Sequence, residues 1–281
     1  MKQENNHPLS KPLFSLLERL TALNGSLGLL NNQLDNYTSM FRQSFEDRGI
    51  DLSNAMAGFA FLLRDVSVPS EQKYLNYLPA GTFTKKGEQY LEAANEITGK
   101  WAAWSVAQSY ESFETFLRDM ATCYYFTWPP EKPLGNLEQI PIEYKNIEAW
   151  GKFFRLKQWN SFSLLAQLRL SAPSLTGWEK ENILRVNLQD WHSLIAVVRH
   201  AIVHSNMVTP RSKFQVSAKV INSLLPQEFP GTWHGDEYSI NFNRDTAKNA
   251  INLTGDYAYL VFKCLCIEKN IEWDLLQFSS K

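Results

Sequence analysis

The sequence predicts a mainly α-helical protein with one small β-ribbon. Apolar residues recur at three and four along most of the chain, the spacing of one helix face. Strict alternation is confined to residues 212–242, where Phe214, Val216, Ala218 and Val220, then Tyr238, Ile240 and Phe242, read as two strands flanking a loop. No strand–Gly-rich turn–helix unit is present, which removes the P-loop and dinucleotide-binding α/β folds. At 281 residues, 44% hydrophobic and 20% charged, the chain can build an ordinary globular core as one large domain or two small ones.

Taken in order, residues 1–10 read as a tail. From Lys11, the residues Leu13, Leu16, Leu17, Leu20, Leu23 and Leu27 form one stripe. Gly25 and Gly28 weaken its middle, so a second helix is expected over 31–45. Asp51 or Ser53 suits an N-cap for a helix over 55–63. Pro69, Pro79 and Gly81 mark loops, and 84–97 reads as another short helix. Residues 101–126 predict a strong helix, with Trp104, Ala107, Phe113, Phe116, Leu117 and Met120 on its apolar face. Pro129, Pro130 and Pro133 end it. An aromatic-rich helix is expected over 147–170, broken by Pro173 and Gly177. A central helix over 186–206 and a last helix over 245–267 complete the list. The predicted parts are an N-terminal helical extension, 1–95, and a helical domain, 96–281.

Charge and cysteine content narrow the function. Formal net charge is −1, so no global basic field attracts nucleic acid, and any such site must be a local patch. Cys123, Cys264 and Cys266 make no disulfide framework and no zinc-ligand spacing, and read as reduced, buried thiols. The first residues lack the apolar core of a signal peptide, and runs such as 57–63 are too short to span a bilayer. A cytoplasmic protein without a membrane partner is expected.

The chain's unusual stretch is Val197-Val198-Arg199-His200-Ala201-Ile202-Val203-His204-Ser205-Asn206. Three polar or cationic side chains, Arg199, His200 and His204, interrupt an apolar helix. Burying a guanidinium is costly without a partner, so this face belongs at an edge, in a cleft or against a second chain. His200 and His204 are four apart, half of a zinc site, but the metalloprotease pattern needs Glu where Ala201 stands, and no third ligand is indicated. No metal or cofactor is therefore expected. His192 and His234 carry no motif and read as surface or hydrogen-bonded histidines. No Gly-x-Ser-x-Gly elbow occurs.

An Arg and a His suffice for one reaction, metal-independent RNA cleavage by the substrate's own 2′-hydroxyl. Histidine transfers protons near neutral pH. Arginine grips phosphate bidentately and stays charged.

The stretch resembles the HEPN family (higher eukaryotes and prokaryotes nucleotide-binding domains), whose signature is an Arg, four to six residues, then a His, often with a polar residue after the Arg. Here Arg199 to His204 fits, with His200 in the polar position. An earlier helix in that family often carries Glu, three residues, then Lys or Arg, which Glu114-Thr115-Phe116-Leu117-Arg118 matches. The resemblance covers about residues 101–270 and implies a HEPN-like helical bundle that cleaves RNA as a homodimer, in toxin–antitoxin or antiphage defence, with an antitoxin or regulatory protein as a possible partner. It makes Arg199 and His204 catalytic and His200, Glu114 and Asn206 supporting. Toxins of the family neutralised by a nucleotidyltransferase carry Tyr two residues after the His; this chain has Asn206 there, so that control is not expected. The family core is also smaller, and the resemblance supplies no role for residues 1–100.

On an ideal helix Arg199 and His204 lie roughly 140° apart. Either the helix distorts near His204, or Arg199 reaches round, or the site combines two chains. Two other readings stand beside the nuclease. One is a non-catalytic HEPN module that binds nucleotide, RNA or a protein, which near-neutral charge favours. The other is a purely structural helical protein, with Arg199 ion-paired, for example to Glu114, and His204 favoured by the helix dipole.

Overall fold

The computed structural model describes residues 7–51, 56–57, 61–64, 74–77, 85–130, 146–156 and 158–275. It is mainly helical with a small antiparallel sheet, as the periodicity predicts. The chain divides into two compact units, one of residues 1–27 and 102–281, the other of 28–101. The first leucine stripe, Leu13 to Leu27, lies in the first of these units.

Helix α1, Ser10–Glu46, runs unbroken where two helices were expected. Glycine costs about 1 kcal/mol relative to Ala within a helix, and no proline follows Pro12 to turn that cost into a break. In the larger unit Leu13, Leu16, Leu20 and Leu27 are buried. Of the helix expected over 55–63, residues 56–57 and 61–63 are described, and in the smaller unit these are strand instead; 55 and 58–60 lie outside the described residues. Strands β1, Met56–Ala57, and β4, Lys85–Lys86, pair antiparallel, as do β2, Phe61–Arg64, and β3, Tyr74–Tyr77. A short apolar run has no decisive period, and here pairing with a distant segment selects strand. The helix expected over 84–97 joins its successor in one long α2, Gly87–Thr127.

The larger unit is a helical bundle. After α2 come α3, Ile147–Phe154; α4, Ser161–Ser171; α5, Ser174–Lys180; and α6, Leu188–His204. The aromatic helix expected over 147–170 is therefore two. Asn160 caps α4 by accepting from Ser163 N–H at 3.0 Å, and the chain bends between them so that Phe154 packs on Trp159, ring centroids 5.2 Å apart. Gly177, expected to break a helix, lies within α5. Asn146, Asn187 and Asn243 likewise satisfy the first amides of α3, α6 and the last helix, α8, Arg244–Glu268. Helix α8 is the axis of the bundle: Ala247, Ile251, Tyr257, Val261 and Phe262 are all buried.

The strand expected over 214–220 is absent. Ser217 caps a helix there, α7, Ala218–Glu228, so local capping overrides the alternating pattern. The ribbon is a hairpin of β6, Gly231–His234, and β7, Glu237–Ile240, with β5, Val208–Pro210, added beside β7. Gly235, at φ +64°, takes the first place of its two-residue turn, a position that favours glycine. This sheet hangs directly from the end of α6. Ile240 N–H donates to Met207 O at 2.9 Å.

Candidate functional site

Helix α6 buries Leu194, Ile195, Val198, Ala201 and Ile202 against the bundle. That leaves Arg199 at the margin and His200 and His204 exposed, one turn apart. The helix remains regular to His204; no distortion swings that residue toward Arg199. Instead the two diverge. Arg199 turns to α2, where Nε donates to Glu111 Oε1 at 2.6 Å and Nη2 donates to the same oxygen. The Arg199 and Glu111 side chains are 30% and 39% exposed, so the pair sits at a wet edge. His204 turns to His200, ring centroids 4.8 Å apart.

The carboxylate that holds Arg199 is thus Glu111, one turn before Glu114. Glu114 remains nearby: with Glu111 and Arg199 it bears on the Tyr110 hydroxyl, which is bonded to Ser161 Oγ at 2.8 Å. Burial is the main reason that phenol is held far above its ordinary pKa. His200 is pushed below the usual histidine range, by desolvation first and then by the charges of His204, Lys213 and Arg199.

Asn206 follows the helix end at φ +47° and Met207 at +65°. Asn tolerates this left-handed backbone better than most residues. Ser205 and Met207 N–H groups both donate to Ala201 O at 3.0 Å, which closes the helix beneath His204. Asn206 is exposed on this turn, so its evident part is to end α6.

Two features escaped sequence reasoning. His192, read as surface or hydrogen-bonded, is buried and 1% exposed, with no hydrogen-bond partner on Nε2. Tyr110, Phe113, Phe162 and Tyr257 surround its ring at centroid distances of 5.9, 5.9, 4.5 and 6.4 Å. Desolvation, with Arg169 nearby, lowers its pKa to about 3. Beside it, fully buried Glu179 receives Arg169 Nε at 2.8 Å, Gln189 Nε2 at 2.6 Å and the Tyr257 hydroxyl. Four residues from α4, α5, α6 and α8 meet there, and no spacing within one element announces them.

Among the described residues no group of three or more His, Cys, Asp or Glu is placed to hold a metal ion. None of the described helices is long and apolar enough to cross a membrane. Described clefts of about 490, 440 and 350 Å³ are lined by other residues, among them Asn24, Trp178 and Arg118. In comparisons with known proteins, no family model, curated protein or solved structure matches this chain.

Proposed function

We propose that this protein is a metal-independent endoribonuclease whose site is built on the end of α6. The observation that carries the reading is the group at the end of α6, with His200 and His204 exposed and the half-buried Arg199 aimed by Glu111. His204 moves the proton between the 2′-hydroxyl and the leaving 5′-oxygen. Arg199 stabilises charge on the phosphoryl oxygens as it builds. His200 orients Arg199 or touches phosphate. Because Arg199 and His204 leave one helix in different directions and the cluster lies open to water, one chain gives neither a joined pair nor a dry site. A homodimer that sets two α6 ends face to face supplies both. Such an enzyme fits toxin–antitoxin or antiphage defence, restrained by an antitoxin or regulatory protein, as the HEPN resemblance implies.

A second reading has its own support. The Arg199 guanidinium is already occupied by Glu111, as it would be in a HEPN module that binds nucleotide, RNA or a protein without cleaving. Incubating the purified protein with RNA in EDTA separates the two. Cleavage that leaves 2′,3′-cyclic phosphate or 3′-phosphate ends is expected. Intact RNA, or activity lost in EDTA and restored by one metal, would overturn the mechanism.

A further inference from the structure

Residues 191–227 contain Arg199, Arg211, Lys213 and Lys219, and no Asp or Glu. On a chain of net charge −1 this is a local cationic strip. The fold keeps it beside the α6 cluster. Strand β5 leaves the helix end and delivers Arg211 and Lys213 on a single 3-10 turn, Arg211–Lys213. Both are exposed, and Lys213 lies close enough to His200 for its charge to be felt there. Lys219 is exposed at the start of α7.

Arg211 is held in a defined pose. Its N–H donates to Asp236 O at 2.8 Å and its guanidinium lies over the Trp233 ring, 5.2 Å from the centroid. Nη2 reaches Asn222 Oδ1 at 3.4 Å. Trp233 is itself braced by Tyr238, 4.8 Å between centroids, and by Phe214 at 6.4 Å. An exposed planar cation held over an indole is a platform for a nucleobase. The acidic side chains of this sheet, Asp236 and Glu237, are at the hairpin turn, with Glu237 opposite His234 in register.

We infer that this strip is a track for an unpaired RNA strand leading to the α6 cluster, with one base stacked on Arg211 and phosphates met by Lys213 and Lys219. Arg211 follows His204 by seven residues, at most about 25 Å of extended chain, a reach of a few nucleotides. A duplex keeps its bases stacked inside and offers no face to Arg211, so the track selects single strands. The inference takes its ligand from the ribonuclease reading, and its test does not require cleavage.

The probe is a fluorescent 2′-O-methyl oligonucleotide, which lacks the attacking hydroxyl, and binding is followed by anisotropy at several salt concentrations. Arg211→Ala should weaken binding at least about fivefold, and Arg211→Lys should fall between, since charge remains and the plane is lost. Lys213→Ala should make the dependence of log K on log salt shallower by about 0.7. A matched duplex should bind more weakly than the strand. Equal binding of strand by wild type and Arg211→Ala, equal binding of duplex and strand, or no binding at low salt would overturn the track. Cleavage of RNA by a protein indifferent to Arg211 would leave the catalytic reading standing. Binding through Arg211 and Lys213 without any cleavage would keep the track and remove the catalytic reading.

Discussion

Arg199 on α6 and Glu111 on α2 are joined through both Nε and Nη2 of the guanidinium, which converge on one carboxylate oxygen. The pair is partly exposed, so its contribution to stability is about 1 kcal/mol or less. Its greater effect is on direction, because it fixes where the guanidinium points. Glu111→Gln should therefore melt within a few degrees of wild type yet cleave roughly tenfold more slowly or worse, given that a displacement of about 1 Å can cost ~100-fold. Glu114→Gln should be milder. Paired thermal melts and cleavage rates check this; equal rates for Glu111→Gln and wild type would remove the orienting role.

The buried Arg169–Glu179 pair should behave in the opposite way. Glu179 is 0% exposed and keeps Arg169, Gln189 and Tyr257 as partners. Arg169→Met, which leaves the Glu179 carboxylate alone in the core, should cost ~3–5 kcal/mol, seen as a fall of roughly 6–20 °C in Tm. The combined change Arg169→Met with Glu179→Leu should recover much of that loss, since no charge is then stranded. Calorimetry of the singles and the double tests it.

Much of this was legible in the sequence, and the misses have physical causes. Leu194, Ile195, Val198 and Ile202 announce the buried face of α6, and with it the exposure of His200 and His204. The hairpin turn at Gly235–Asp236 was not distinguished, because Gly231–His234 lacks the alternation that marks its partner strand. Glu111 was not distinguished from Glu114 as the partner of Arg199, because the two share a face of α2 and only the place where α2 passes α6 chooses between them. The Glu179 cluster joins four helices, so periodicity within any one of them is silent. Residues 61–64 form strand because they pair with 74–77, a contact that no local pattern contains. At 214–220 the opposite occurred, and the Ser217 cap outweighed an alternating run.

Stability should depend on pH through His192. An unfolded histidine takes up a proton near pH 6.5, whereas His192 in the fold does so only at about 3. Between these values the unfolded state binds more protons, so stability falls as pH falls, by up to ~1.4 kcal/mol per pH unit. Between pH 6.5 and 5, above most carboxylate titration, His192→Phe should lose less stability than wild type. Urea titrations at several pH values measure the slope; identical slopes would show that His192 does not supply it.

If each site takes Arg199 from one chain and His204 from the other, two dead variants should rescue one another. Mixing Arg199→Ala with His204→Ala under conditions of subunit exchange should restore roughly a quarter of wild-type activity, because half the dimers are mixed and each has one intact site. A mixture as inactive as its parts would place both residues of a site on one chain.

Whether Arg199 and His204 together cleave RNA without metal is measured most directly by the cleavage rate of single alanine variants in EDTA. His204→Ala should lose ~100- to 10,000-fold, the usual worth of a positioned proton-transfer group. Arg199→Ala should lose at least ~100-fold, as when a preorganised donor to a transition-state anion is removed. Both should melt close to wild type, since His204 is exposed and Arg199 is partly so. A near wild-type rate in either variant, with a normal melting curve, would contradict the assignment.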